Sequence, residues 1–344
     1  MRELKGFVHG INLGGWLSQT DDTSAHHYDT FITEKDIAYI ASLGLDHVRV
    51  PVDYMLIENE DGSAKPEGYK YIDNCIEWCR KNNINMIIDI HKTFGYSFDP
   101  LDKTDKKAFF YNTEFQERFY KLWKGLAERY GKYSDMTAFE LLNEIIEPEI
   151  AEEWNRIALK AIKTIHDIAS DVWVIFGGTR YNSVVSVPEL AVTDDRKVAY
   201  TFHCYEPLIF THQGAYWVDN MKTDFRIEYP RPIDEYRRFS KALSKELVGA
   251  VNNSNITNTG CEFFEIMFKE ALETAAERDI PLYCGEYGVI DLADDESKIR
   301  WVNDICAVFD KYNIGRAYWN YKEKDFGLTN IQNENIRRRI AEKL

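Results

Sequence analysis

The chain has 344 residues, of which 44% are hydrophobic and 29% charged, so it is globular and not disordered. Its 57 acidic and 42 basic side chains give a formal net charge of -15, which argues against a nucleic-acid binder and against docking to an anionic membrane surface. A chain of this length buries a large core without disulfides. Its six cysteines form no zinc-type cluster, and Cys75 and Cys79 share one helical face with Ile72 and Ile76.

The N-terminal stretch "MRELKGFVHGINLGG" contains no long apolar segment, and no 18-residue apolar span occurs anywhere. The expectation is a monomer that is cytoplasmic, or secreted with its signal removed, without a membrane or nucleic-acid partner. The first strand falls in "FVHGINL" (7–13). A helix follows in "TEKDIAYIASLG", with Thr33 as N-cap, Asp36 at the capping-box position and Gly44 as the stop. Further strands are read at 47–51, 86–92 and 137–144. A helix over "TEFQERFYKLWKGLAERY" lies before the last of these, with Thr113 and Gln116 as its expected capping box. Strands at 172–178, 198–206, 282–288 and 315–322 complete a set of eight, most of them near-continuous apolar runs, as in parallel strands covered on both faces.

Eight strands alternating with amphipathic helices predict an α/β fold, a closed (β/α)8 TIM barrel. "INLGGW" and "IFGGTR" lack the spacing of a dinucleotide fingerprint and read as turns at strand ends. About fifty residues separate strand six from its helix, far beyond the usual connection of roughly 2–6 residues. One catalytic domain over 1–344, with an inserted lid or small subdomain at approximately 207–260, is therefore expected.

In such a barrel the site forms at the C-terminal strand ends. The polar residues read there are Arg49, His91, Asn143, Glu144, His203, Tyr205, Glu286 and Trp319. Two carboxylates on opposite sides of the barrel suit glycoside cleavage, where one protonates the leaving oxygen and the other attacks or activates water. An indole such as Trp319 suits the apolar face of a sugar ring. His91 and His203 lack a complete metal-ligand set, so no metal and no cofactor are expected. Period two places Glu140 on the side of Glu144, as an interior acid paired with a group such as Arg49.

Taken in order, "INLGGW", "HVRVP", "DIH", "ELLNE", "HCY", "GEYG" and "YWNY" resemble glycoside hydrolase family 5 over nearly the whole chain. The likeness is to bacterial endo-β-1,4-glucanases with an insertion after strand six. The resemblance implies a retaining enzyme with Glu144 as acid/base and Glu286 as nucleophile. It further implies that Arg49 and Tyr205 hold Glu286 ionised, that Asn143 binds the sugar 2-hydroxyl, that His91 and His203 contact the same sugar or the catalytic pair, and that Trp319 forms the platform. Lys92 and Glu206 depart from the family pattern and flank the expected sugar contacts. In the insert, His212, Tyr216 and Trp217 are candidates for aglycone contacts. The expected substrates are β-1,4-glucan, mixed-linkage glucan or glucomannan. The alternatives are an endo-β-1,4-mannanase or other β-glycanase acting on β-mannan, and a non-catalytic sugar-binding barrel.

Overall fold

The computed structural model describes residues 1–102, 107–252 and 255–344. Eight parallel strands close into a barrel in sequence order: β1 (His9–Asn12), β2 (His47–Asp53), β3 (Asn85–Lys92), β4 (Thr137–Glu140), β5 (Trp173–Gly177), β6 (Val198–Cys204), β7 (Leu282–Tyr287) and β8 (Gly315–Tyr318). The last strand pairs with the first through Gly10 opposite Ala317. This is the expected (β/α)8 TIM barrel, and its strands form where the sequence is both apolar and rich in β-branched residues.

The helical layer comprises α1 (Glu34–Ser42), α2 (Pro66–Asn82), α3 (Thr113–Tyr130), α4 (Ala151–His166), α5 (Ile233–Ser240), α6 (Lys245–Asn252), α7 (Cys261–Glu277) and α8 (Asp295–Tyr312). At α1, the Thr33 amide donates to the Asp36 carboxylate at 2.8 Å, and Gly44 takes a φ of +87° past the C-terminus. At α3 the cap differs from expectation. Asn112, one residue earlier, accepts from the Glu114 and Phe115 amides, while Gln116 is buried and donates to the Phe109 and Phe110 carbonyls. Asparagine is the stronger N-cap of the two candidates.

The connection from β5 to β6 contains no long helix. A 3-10 segment, Val184–Glu189, takes its place, consistent with the three valines and Pro188 of "VVSVPE" opposing an α-helix. Between β6 and α7 lie the short helix Leu208–Thr211, α5 and α6. Residues 253–254 of the expected insertion lie outside the described residues. No helix among the described residues is long and apolar enough to cross a membrane.

The barrel lumen is layered. Its N-terminal end is filled by Leu4, Phe7, Ile87, Ala138, Ile175, Ala199, Tyr283 and Ala317. Above this apolar floor the inward positions of the same strands become polar, and the site begins there.

Candidate active site

The centre of the polar layer is Arg49 of β2, which is fully buried. Its Nε and Nη2 donate to the two oxygens of Glu140 at 2.7 and 2.9 Å. Nη2 also donates to Asn143 Oδ1 at 2.8 Å, and Nη1 donates to Asn12 Oδ1 and to Glu286 Oε1, both at 2.9 Å. Five N–H groups therefore meet five acceptors, which is what a buried guanidinium requires. Asp89 Oδ2 forms a further ion pair with Nη2 at 3.0 Å. Glu140 is thus an interior acid held by Arg49.

Strand four leaves the ladder earlier than expected. Its pairing stops at Glu140, and the strict alternation of sides stops with it. Asn143 and Glu144, although adjacent in sequence, both reach the polar layer, Asn143 through Arg49 and Glu144 through His203.

Glu286 of β7 is clamped on both oxygens, by Arg49 on one and by the Tyr205 hydroxyl at 2.9 Å on the other. Glu144 Oε1 lies 2.8 Å from His203 Nδ1, which in turn is 3.7 Å from Glu286 Oε2. One oxygen from each glutamate and this nitrogen all fall within 4.8 Å of one another.

Burial sets the protonation states. It pushes the Glu286 carboxyl up to about 7, with Arg49 and the Tyr205 hydroxyl pulling in the opposite direction. Glu144 is raised well above the usual carboxylate range by burial and then by the charge of Glu286, and it lacks a clamp of that kind. Of the pair, Glu286 is the one whose ionised form the protein favours. His203 and His91 are driven well below the ordinary imidazole value by burial and by Arg49, so both rings are neutral.

His91 of β3 is anchored to Asp89 Oδ2 through Nδ1 at 2.5 Å and lies parallel to the Trp319 indole, with ring centroids 6.0 Å apart. Gly14 seats that indole, since a Cβ there would fall 2.5 Å from Trp319 Cη2. The first of the two glycine runs read from the sequence as turns, "INLGGW", thus has a packing role at the site. Asn320 fixes the same corner, accepting from the Gly14 amide at 2.9 Å and donating to its carbonyl at 3.0 Å.

From Tyr205 a series of ring contacts leads outward: to His212 at 4.9 Å, on to Trp217 at 6.2 Å, and from there to Tyr216 at 4.9 Å. Tyr216 is 73% exposed at the end of this series. Lys92 and Glu206 both prove to be buried. Lys92 pairs with Asp102 at 2.8 Å, and Glu206 accepts from the Tyr205 amide at 3.0 Å. Glu206 is also pushed up to about 7 by burial, with the Cys204 thiol and backbone amides opposing the shift.

The structure brings Arg49, Asn143, Glu144, His203, Tyr205 and Glu286 into one bonded cluster, with His91 joined to it through Asp89. Trp319 lies against His91, and His212 and Trp217 continue outward from Tyr205. Asn12, Asp89, Asn320 and Gly14 support this cluster and were not singled out from sequence. Asp89 was within reach of the period-two rule from His91. The trio of Glu144, His203 and Glu286 is also the one group among the described residues whose spacing suits a cation. However, Arg49 bound to Glu286 opposes a second positive charge there, and His203 Nδ1 is engaged with Glu144. The arrangement favours proton exchange.

Comparison with known proteins fits this geometry. The family model described as Cellulase (glycosyl hydrolase family 5) matches residues 11–325. The chain belongs to glycosyl hydrolase family 5. Among its family 5 relatives, Endoglucanase C of Acetivibrio thermocellus is 42% identical over 331 residues, covering 95% of this chain and 94% of that protein. Cellodextrinase A of Ruminococcus flavefaciens is 40% identical over 316 residues, covering 92% and 86%. The structure of Thermotoga maritima Cel5A in complex with cellobiose superposes with a TM-score of 0.75 at 23% identity, covering 98% of this chain and 97% of that one, and so shares the fold. The protein is a glycoside hydrolase of the endoglucanase type.

Proposed function

We propose that the protein is a monomeric, retaining endo-acting hydrolase of β-1,4-linked glucan, working by double displacement. The observation that carries this reading is that one oxygen of Glu144 and one of Glu286 lie within 4.8 Å of each other, too close for the wider-set pair of an inverting site to be favoured. Retaining enzymes hold their carboxyl groups at about 5–5.5 Å, whereas inverting enzymes need roughly 6.5–9.5 Å to admit a water.

In the first step Glu286, ionised and aimed by Arg49 and Tyr205, attacks the anomeric carbon while Glu144 gives its proton to the departing glycosidic oxygen. Forming the glycosyl ester removes the negative charge of Glu286. That charge helps to raise the Glu144 carboxyl, so Glu144 then becomes a better base for the water that hydrolyses the ester. His203, neutral and bonded to Glu144, orients the carboxyl in both steps. Asn143 is turned by Arg49 so that its amide nitrogen, buried without a protein partner, is free for the sugar 2-hydroxyl. His91 Nε2 is in the same condition. Such buried polar atoms are costly to leave unpaired, which supports sugar hydroxyls as their partners. Trp319 serves as the platform. Segment 207–260 contributes the aglycone side through His212, Trp217 and Tyr216.

A 2-deoxy-2-fluoro-β-cellobioside inactivator should attach to the peptide carrying Glu286, detected by mass spectrometry. A label on any other residue would sink the assignment. A product profile on defined β-glucan and β-mannan oligosaccharides fixes the preferred polymer, with faster mannan cleavage displacing the glucan reading.

A further inference from the structure

Glu144 stands four residues beyond the last paired residue of β4, and backbone bonds to the neighbouring strands continue only as far as Leu141, to the Ile175 carbonyl at 3.0 Å, and Asn143, to the Ile90 carbonyl at 3.1 Å. Something else must fix it, because a misplacement of the acid by about 1 Å costs on the order of 100-fold in rate. The support comes from the turn that follows β5.

Arg180, Tyr181 and Asn182 all take left-handed conformations, with φ of 57°, 56° and 54°. Non-glycine residues rarely do so once, and a run of three is costly unless the surroundings enforce it. Here the amides of Arg180 and Tyr181 donate to the carbonyls of Ile146 and Ile145 at 3.1 and 2.9 Å, gripping the two residues that follow Glu144. Ser183 then forms a parallel bridge with His203. The turn is therefore bonded on one side to the segment carrying Glu144 and on the other to the strand carrying its hydrogen-bond partner. Asn182 Oδ1 locks the turn by accepting from the Gly178 amide at 3.0 Å. Gly177 leaves the space, since a Cβ there would lie 1.9 Å from that oxygen. A second clamp comes from β3's side, where the buried Tyr96 hydroxyl donates to the Glu144 carbonyl at 2.6 Å and accepts from the Ile146 amide at 3.1 Å.

We propose that the strained turn Arg180–Asn182, locked by Asn182, and the Tyr96 hydroxyl are positioning elements that hold Glu144 in line for proton transfer to the leaving oxygen. This rests on the reading of Glu144 as acid/base. The turn spends conformational strain to give the acid a rigid mount just beyond the bond from Asn143 to β3.

The test compares two substrates. Cellotetraose has a poor leaving group and needs the acid, whereas 2,4-dinitrophenyl β-cellobioside leaves unaided. In Asn182→Ala and Tyr96→Phe, kcat/KM on cellotetraose should fall about 10-fold or more, while the activated substrate changes less than about 2-fold. The alkaline limb of the cellotetraose profile should also move to lower pH as Glu144 loses its shielding from water. Asn182→Gly, which accepts the left-handed conformation and lacks only the locking oxygen, guards against misfolding and should show the same selectivity. Equal loss on both substrates in a folded variant, or no loss on either, would overturn the proposal. Glu144→Gln, run alongside, should lose kcat/KM on cellotetraose far more than on the activated substrate, whose kcat falls because hydrolysis of the ester still needs the base. If it does not, the acid/base reading itself fails and takes this proposal with it.

Discussion

The two ends of the barrel lumen are made of opposite materials, although the same strands build both. Ile87 and Ala138 belong to the apolar floor, and two residues further along their strands stand Asp89 and Glu140. One pleat repeat, roughly 6–7 Å, separates the two layers. In the floor, apart from the 2.7 Å contact of the Tyr283 hydroxyl with His47, apolar side chains of the right volume would satisfy the packing. In the layer above, Arg49 has a named acceptor for every hydrogen, and among these acceptors Glu286 is held also by Tyr205 and Asn12 by the Gly285 carbonyl. Stability can thus be altered at one end without changing chemistry, while the other end ties the two together.

The comparison breaks most visibly at Arg49. Arg49→Met should abolish measurable turnover and destabilise the fold by about 3–5 kcal/mol, because it strands buried carboxylates without their cation. Urea unfolding together with assays on cellotetraose would check both. Retained activity in a folded variant would remove Arg49 from the catalytic layer.

Ile175→Ala, in the floor, is the matching change. It should cost about 2–5 kcal/mol in unfolding, while kcat/KM measured well below the melting transition stays at the wild-type value. A matching fall in kcat/KM would show that the two layers are coupled.

The smallest effect sharpens the contrast within the polar layer. In the proposed mechanism attack requires ionised Glu286, whose carboxyl burial pushes up to about 7 against the downward pull of Arg49 and Tyr205. Tyr205→Phe removes one of those opposing influences, so the carboxyl holds its proton to higher pH. The acid limb of kcat/KM should therefore move upward, with activity recovering above it, as read from a pH–rate profile. An unmoved acid limb would mean that the 2.9 Å hydrogen bond does not govern the ionisation of Glu286.

Much of this was legible in the sequence. Buried parallel strands announce themselves as apolar runs, so all eight were found, and the polar residues at their C-terminal ends gave the cluster around Glu144 and Glu286. Where the reading failed, the deciding contact was distant or the local signals were tied. Asn112 and Thr113 are both good caps, and only the backbone shows which one is used. Asn12 acquires its role from Arg49, a contact that exists only once β1 and β2 pair. The left-handed turn was not legible at all, since neither Arg180 nor Tyr181 favours that conformation. It exists because Ile145, Ile146 and His203 need what it offers. Lys92 and Glu206 stood out as unusual, yet their burial follows from the packing around them and not from local pattern.

The clasp between Asn320 and Gly14 joins residues 306 positions apart and seals the seam between the last strand and the first. It has a consequence for a chain still being made. Before β8 emerges from the ribosome, both carboxylates and Arg49 already exist, but β1 has an unpaired edge and Trp319, the proposed sugar platform, has not been synthesised. Competence to bind and cut therefore does not accumulate gradually with length. It arrives when the ring closes, and the final strand acts as the enzyme's own licence to start.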